Sequence, residues 1–97
     1  MATLEVLHPV AEIVQNTVSA APRLQSLDGK TVGLFWNIKA GGDVALSAVA
    51  EELAKRHQGL KFRNYVGSVG SIYRQATPED IERMAAECDA IVGTSAD

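Results

Sequence analysis

The sequence is short of most features that would assign a function at sight. It has one cysteine, so no internal disulfide can form, and a reducing cytoplasm is the expected setting. Its two histidines, His8 and His57, are far apart and no zinc-ligand spacing occurs, so no metal is expected. No apolar run approaches the ~20 residues of a membrane span, and Met1 to Glu5 lacks the basic start and apolar core of a signal peptide. A net charge of −3 with no basic cluster removes the electrostatic case for nucleic acid. Neither a GxGxxG nor a Walker pattern is present, and there is no internal repeat. Nothing names a cofactor, which stays unknown. Ninety-seven residues amount to one small domain.

What is present centres on Thr31-Val32-Gly33-Leu34-Phe35-Trp36-Asn37-Ile38-Lys39-Ala40-Gly41-Gly42-Asp43. An apolar, β-branched run predicts a buried strand that breaks at Asn37. A short loop with Lys39 and two glycines follows, and Asp43 stands where a helix would begin. Strand, glycine-bearing turn and helix form the first half of a βαβ unit.

The helix is expected from about Asp43 to His57, because Leu46, Val49, Ala50 and Leu53 follow the i, i+3, i+4, i+7 pattern of one buried face. Asp43 is a suitable N-cap, Lys55 to His57 complement the dipole at the far end, and Gly59 follows. Leu60 to Val66 alternates apolar and polar residues, as a strand with one exposed face does. Thr77-Pro78-Glu79-Asp80 starts a second helix, with Ile81, Met84, Ala85 and Cys88 as its apolar stripe. Ala90 to Gly93 is a third strand. Residues 1–28 read as an N-terminal arm, with a possible short strand at Leu4 to Leu7, and 29–97 as the α/β unit.

Right-handed crossovers place the second strand on one side of the first and the third on the other. The expected fold is α/β: an incomplete flavodoxin- or Rossmann-like unit with parallel order 2-1-3. Its switch point lies between the carboxyl ends of strands one and three, where open α/β sheets bind ligands. One edge is left open, and a partner chain is expected to complete the sheet.

The loop from Asn37 to Asp43 and the tail from Thr94 to Asp97 would face each other across that crevice. Lys39 is either a group that binds a carboxylate and stabilises developing negative charge, or a solvated loop lysine. Asn37 either hydrogen-bonds substrate or caps the loop. Gly41 and Gly42 permit close backbone approach to a ligand, or simply make the turn. Thr94 and Ser95 point hydroxyls and amides at the crevice. Tyr73 and Arg74 could cover it and grip an anion, or be plain loop. Cys88 reads as core packing rather than as a reactive thiol. Asp97 is a site residue, a cleavage-site residue or a frayed end.

These residues, taken in order, resemble the N-terminal half of the UGSC-type (seleno)protein family. Ala21-Pro22-Arg23-Leu24, Leu27 to Leu34, Asn37-x-Lys39 with Asp43, the proline-started helix and Glu87-Cys88-Asp89-Ala90-Ile91-Val92 carry the resemblance. Family members tend to have Asn-Gly-Lys-Pro-Asn-Ala-Asp where this chain has Asn37 to Asp43. In that family a selenocysteine- or cysteine-Gly-Ser-Cys segment and a second half-domain follow the closing aspartate. The resemblance therefore implies thiol or selenol chemistry on a small molecule, expected to be anionic. The nucleophile would come from a cysteine-bearing partner, either a separate polypeptide or the other product of a precursor cut after Asp97. The alternative is a non-catalytic small-anion-binding or regulatory flavodoxin-like module.

Overall fold

A computed structural model of the chain describes residues 18–70 and 74–95. The elements are β1 (Thr31–Trp36), α1 (Gly42–Arg56), β2 (Lys61–Val66), α2 (Pro78–Glu87) and β3 (Ala90–Thr94). All pairing is parallel, in the order β2-β1-β3. Thr31 is level with Lys61 and Trp36 with Val66 on one side; Val32 is level with Ala90 and Trp36 with Thr94 on the other. The chain is thus a parallel three-stranded α/β unit of flavodoxin-like order. The possible strand at Leu4 to Leu7, and the placement of Tyr73 and Asp97, lie outside the described residues.

Alternation along β1 divides its side chains between two layers. Val32 and Leu34 meet Leu46 of α1 to form the core, with Trp36, Ala50, Phe62 and Val92 packed around them. Gly33 turns to the opposite face, where the Ile91 Cδ1, the Cys88 Sγ and a Tyr65 ring carbon lie 2.5, 3.0 and 3.0 Å from where its Cβ would be. A larger residue there would push β3 and α2 away from β1.

The amino ends of the strands are stitched by one turn. Gly29, at φ 71°, donates its N–H to the Gln58 carbonyl at 2.8 Å, and Asp28 Oδ1 accepts from Gln58 N–H at 2.8 Å. This fastens the entry to β1 beside the turn that enters β2.

Two helix expectations need correction. Asp43 does not cap α1: Gly41 holds the N-cap position at φ 92°, with no side-chain cap, and Asp43 lies in the first turn. The turn needs a left-handed residue there, which glycine supplies without steric penalty. The stripe expected on α2 is also rotated. Asp80 and Met84 are the buried pair, while Ile81 is 57% exposed and Ala85 is exposed. Asp80 fixes that rotation. Its Oδ2 accepts from the N–H groups of Ser68 and Thr77 at 2.8 and 2.9 Å, and its Oδ1 from the Ser68 hydroxyl at 2.6 Å. The Thr77 hydroxyl accepts from Asp80 N–H at 3.1 Å, closing a capping box.

The connection from β2 to α2 folds back on itself. Val69 N–H donates to the Gln75 carbonyl at 3.2 Å, and Gly67 lies against the carbonyl oxygens of Arg74 and Gln75 with no room for a Cβ. Gly67→Ala is expected to lower the unfolding free energy by about 1–3 kcal/mol, the usual range for forced overpacking. Gly70→Ala, with nothing within 4 Å of its Cβ position, should change it by less than about 0.5 kcal/mol. Urea titrations of the two variants check this.

Candidate functional site

A cleft of about 340 Å³ opens at the carboxyl ends of β1 and β3, lined by Phe35, Asn37, Gln75, Ala76, Gly93, Thr94 and Ser95. It is the switch point that the topology requires. Asn37, Thr94 and Ser95 are brought together there as the sequence predicts. Phe35, Gln75, Ala76 and Gly93 were not expected. Phe35 was legible in principle, since alternation puts it on the face opposite Leu34. Gln75 and Ala76 arrive only because Gly67 and Asp80 fold the connection back over β1.

The loop after β1 is held from inside. The Trp36 Nε1–H donates to the Lys39 carbonyl at 2.8 Å, and Gly42 N–H donates to the same oxygen at 3.2 Å. Asn37 Oδ1 accepts from Lys39 N–H at 3.3 Å, so Asn37 both shapes the loop and lines the cleft. Ile38 sits between them at φ 63°. A left-handed conformation disfavours any side chain, by roughly 1–2 kcal/mol, and a β-branched one especially.

Gly42 is buried, and its missing Cβ would fall 2.9 Å from the Thr94 Oγ1 and 2.9 Å from the Trp36 ring. Its close approach is therefore to the protein itself. Thr94 in turn donates its hydroxyl to the Gly42 carbonyl at 3.3 Å, tying the end of β3 to the start of α1. That hydroxyl keeps its acceptor capacity. Gly41 is exposed at the N-cap. Lys39 is half-buried in the loop. The side chain of Arg74 is not among the cleft residues, but its N–H donates to the Asn37 carbonyl at 3.0 Å and so docks the second wall on the first.

The seven lining residues offer amides, hydroxyls and backbone groups, and none carries an acid, a base or a thiol. The chain's one cysteine lies elsewhere. Cys88 caps the carboxyl end of α2, and its Sγ lies 3.0 Å from where a Gly33 Cβ would be, outside the cleft lining. There it is 3.2 Å from the Tyr65 hydroxyl, which also donates to Glu87 Oε2 at 2.8 Å; Arg63 pairs with the same carboxylate oxygen at 2.7 Å. Burial, then the bonds to Cys88 and Glu87, push the Tyr65 phenol well above its ordinary range. This cluster joins β2 to α2. Among the described residues no group of three or more His, Cys, Asp or Glu is placed to hold a metal ion.

One family model matches residues 5–97, essentially the whole chain. The chain belongs to the UGSC family. No curated protein and no solved structure matches it. No helix among the described residues of this UGSC chain is long and apolar enough to cross a membrane.

The wall that carries Gln75 and Ala76 hangs on Asp80. The Ser68 hydroxyl first, then the backbone N–H groups of Thr77 and Ser68, hold its carboxyl well below the usual carboxylate range, against the opposing effect of burial. A carboxyl depressed in the folded state contributes stability above its unfolded pKa, about 3.9, and that contribution is lost as pH falls below this value toward the folded pKa. Wild-type protein should therefore lose thermal stability as pH falls below about 4. Asp80→Asn should melt lower at neutral pH and show a shallower acid slope. Thermal melts across pH check both.

Proposed function

We propose that the chain is the small subunit of a heteromeric, cysteine-dependent enzyme acting on a small anionic molecule. In this reading it contributes substrate-binding loops to a site shared with a cysteine-bearing partner polypeptide that completes the sheet. The observation that carries the reading is the composition of the cleft. Its lining can bind and orient a ligand, yet holds no group able to attack one, and the chain's own thiol is outside that lining, packed beside Gly33 and Tyr65. Membership of the UGSC family supports looking for that thiol in a partner. A single cysteine also suits a cytoplasmic setting.

The roles follow from position. Asn37, Thr94 and Ser95 hydrogen-bond the substrate. The exposed Gly41 turn lets the backbone come close, with Gly42 packed behind it against Trp36 and Thr94, and Arg74 supplies a cation at the rim. Lys39 stabilises negative charge, either on the substrate or on the partner's sulfur. A thiol facing a lysine ionises more readily and becomes a better nucleophile at neutral pH. The lining equally suits a second reading, a non-catalytic module that binds a small anion, because binding needs no titratable group.

Native purification followed by intact-mass analysis should find a cysteine-bearing polypeptide travelling with the chain, as a heterodimer of two gene products or of two pieces of one precursor. In that complex, Lys39→Ala should slow alkylation of the partner's cysteine by iodoacetamide roughly tenfold at pH 7, the effect of raising a thiol by about one pKa unit. Its effect on unfolding should stay within about 0.5 kcal/mol. Absence of any such polypeptide, or an unchanged alkylation rate, overturns the enzyme reading. Binding of simple carboxylates by the chain alone, with no co-purifying thiol, selects the second.

A further inference from the structure

Three glycines among the described residues lie inside regular elements: Gly33 in β1, Gly42 in α1 and Gly93 in β3. A glycine inside a strand or helix weakens it, because the unfolded chain has more freedom to lose and no side chain packs. Two of the three make room for the chain itself. The space over Gly33 is taken by Ile91, Cys88 and Tyr65, and that beside Gly42 by Thr94 and Trp36. Gly93 is different. A Cβ there would meet nothing within 4 Å, and its φ is not positive, so neither packing nor backbone conformation calls for glycine.

Gly93 is part of the cleft lining, level with Phe35 on β1. Neighbouring strands stand about 4.8 Å apart, so the two positions lie side by side. Two residues back along β3, on the same face, Ile91 lies over Gly33 and closes the surface of the sheet. At Gly93 that surface is left open, with an aromatic ring at one flank and Ala76 in the other wall. A glycine within a strand marks the close approach of a ligand or of another backbone. Small-molecule clefts are mostly apolar, with a few polar groups that fix orientation. A bare inorganic anion would occupy only a small part of about 340 Å³.

We propose that Gly93 determines specificity: the space it leaves beside Phe35 takes an apolar, ring-sized body of the ligand. The step rests on the reading of the cleft as a site for a small anion. On that reading the ligand class is a carboxylate carrying an aromatic ring, its charged end toward Asn37, Thr94 and Ser95 and its ring over Gly93. Phe35 meets that ring edge to face or offset, the arrangements aromatic pairs prefer. A side chain at position 93 fills the space and excludes the ring, while the hydrogen-bonding groups stay in place.

Benzoate, acetate and benzamide are the probes, titrated into the full chain and followed by amide chemical shifts. Benzoate should bind more tightly than acetate, with the shifts centred on Gly93 and Thr94. Gly93→Val should weaken benzoate roughly tenfold or more, the scale of a misfit in an apolar pocket, and leave acetate within about twofold of the wild type. Gly93→Ala should fall between. Both variants should melt at or above the wild-type temperature, because the space is open and the unfolded chain loses freedom. Benzoate no tighter than acetate, or a Gly93→Val variant that weakens both equally or neither, overturns the inference and leaves the anion reading standing. Benzamide keeps the ring without the charge and separates the two. If it binds, and Gly93→Val abolishes that binding, while neither carboxylate binds, the ring space stands and the anion reading falls. No binding of any probe overturns both. Release of a co-purifying polypeptide by Gly93→Val would give the space to a protein side chain and overturns the inference.

Discussion

A buried carboxylate sets the shape of half this molecule. Asp80 takes bonds from the Ser68 N–H, the Ser68 hydroxyl and the Thr77 N–H, and so joins the exit of β2 to the first turn of α2. Those bonds turn α2 until Met84 faces inward and Ile81 outward. They also fold the connection back until Arg74 N–H reaches the Asn37 carbonyl. The cleft wall at Gln75 and Ala76 is thus a product of one ionised group. An unpaired carboxylate in that place would be unfavourable, and Arg83 adds a cation 3.6 Å from Oδ1.

The molecule divides its polar groups between a closed cluster and an open cleft. Arg63, Glu87, Tyr65 and Cys88 form one linked cluster, with Tyr65 level with Phe35 and the Cys88 Sγ beside Gly33. At the carboxyl end the lining groups bind but do not titrate. The titratable groups of the cluster are engaged with their neighbours, and the cleft lining offers hydrogen-bonding groups alone. The proposed assembly, in which another polypeptide brings the nucleophile, would complement that division.

Much of the fold was legible because periodicity states it directly. Thr31 to Trp36 can only be a buried strand, Leu46 to Leu53 repeats on one helical face, and Thr77-Pro78 announces a helix. The parallel order followed from handedness. The errors have one origin, which is tertiary structure overriding local pattern. Asp43 looks like an N-cap until the turn proves to need a left-handed glycine at 41. The apolar stripe of α2 looks inward until a polar residue, Asp80, occupies the inward position with its own partners. In the site, Asn37, Thr94 and Ser95 were legible from strand ends. Gln75 and Ala76 were not, because no sequence period records a loop that returns through Gly67. The inward role of Gly42 was hidden too, since a glycine that serves a ligand and one that serves a tryptophan look alike.

The clamp between Trp36 and Lys39 has an optical consequence. Trp36 is the chain's one tryptophan, half-buried, and its indole N–H is bonded to the backbone of the loop that borders the cleft. Indole emission depends on whether that N–H faces a fixed carbonyl or relaxing water. Any event that lifts the loop from Asn37 to Gly42 changes the colour and intensity of the fluorescence, with no second tryptophan to blur the signal. The molecule carries a probe of its own cleft, placed by the same bond that keeps the cleft in shape.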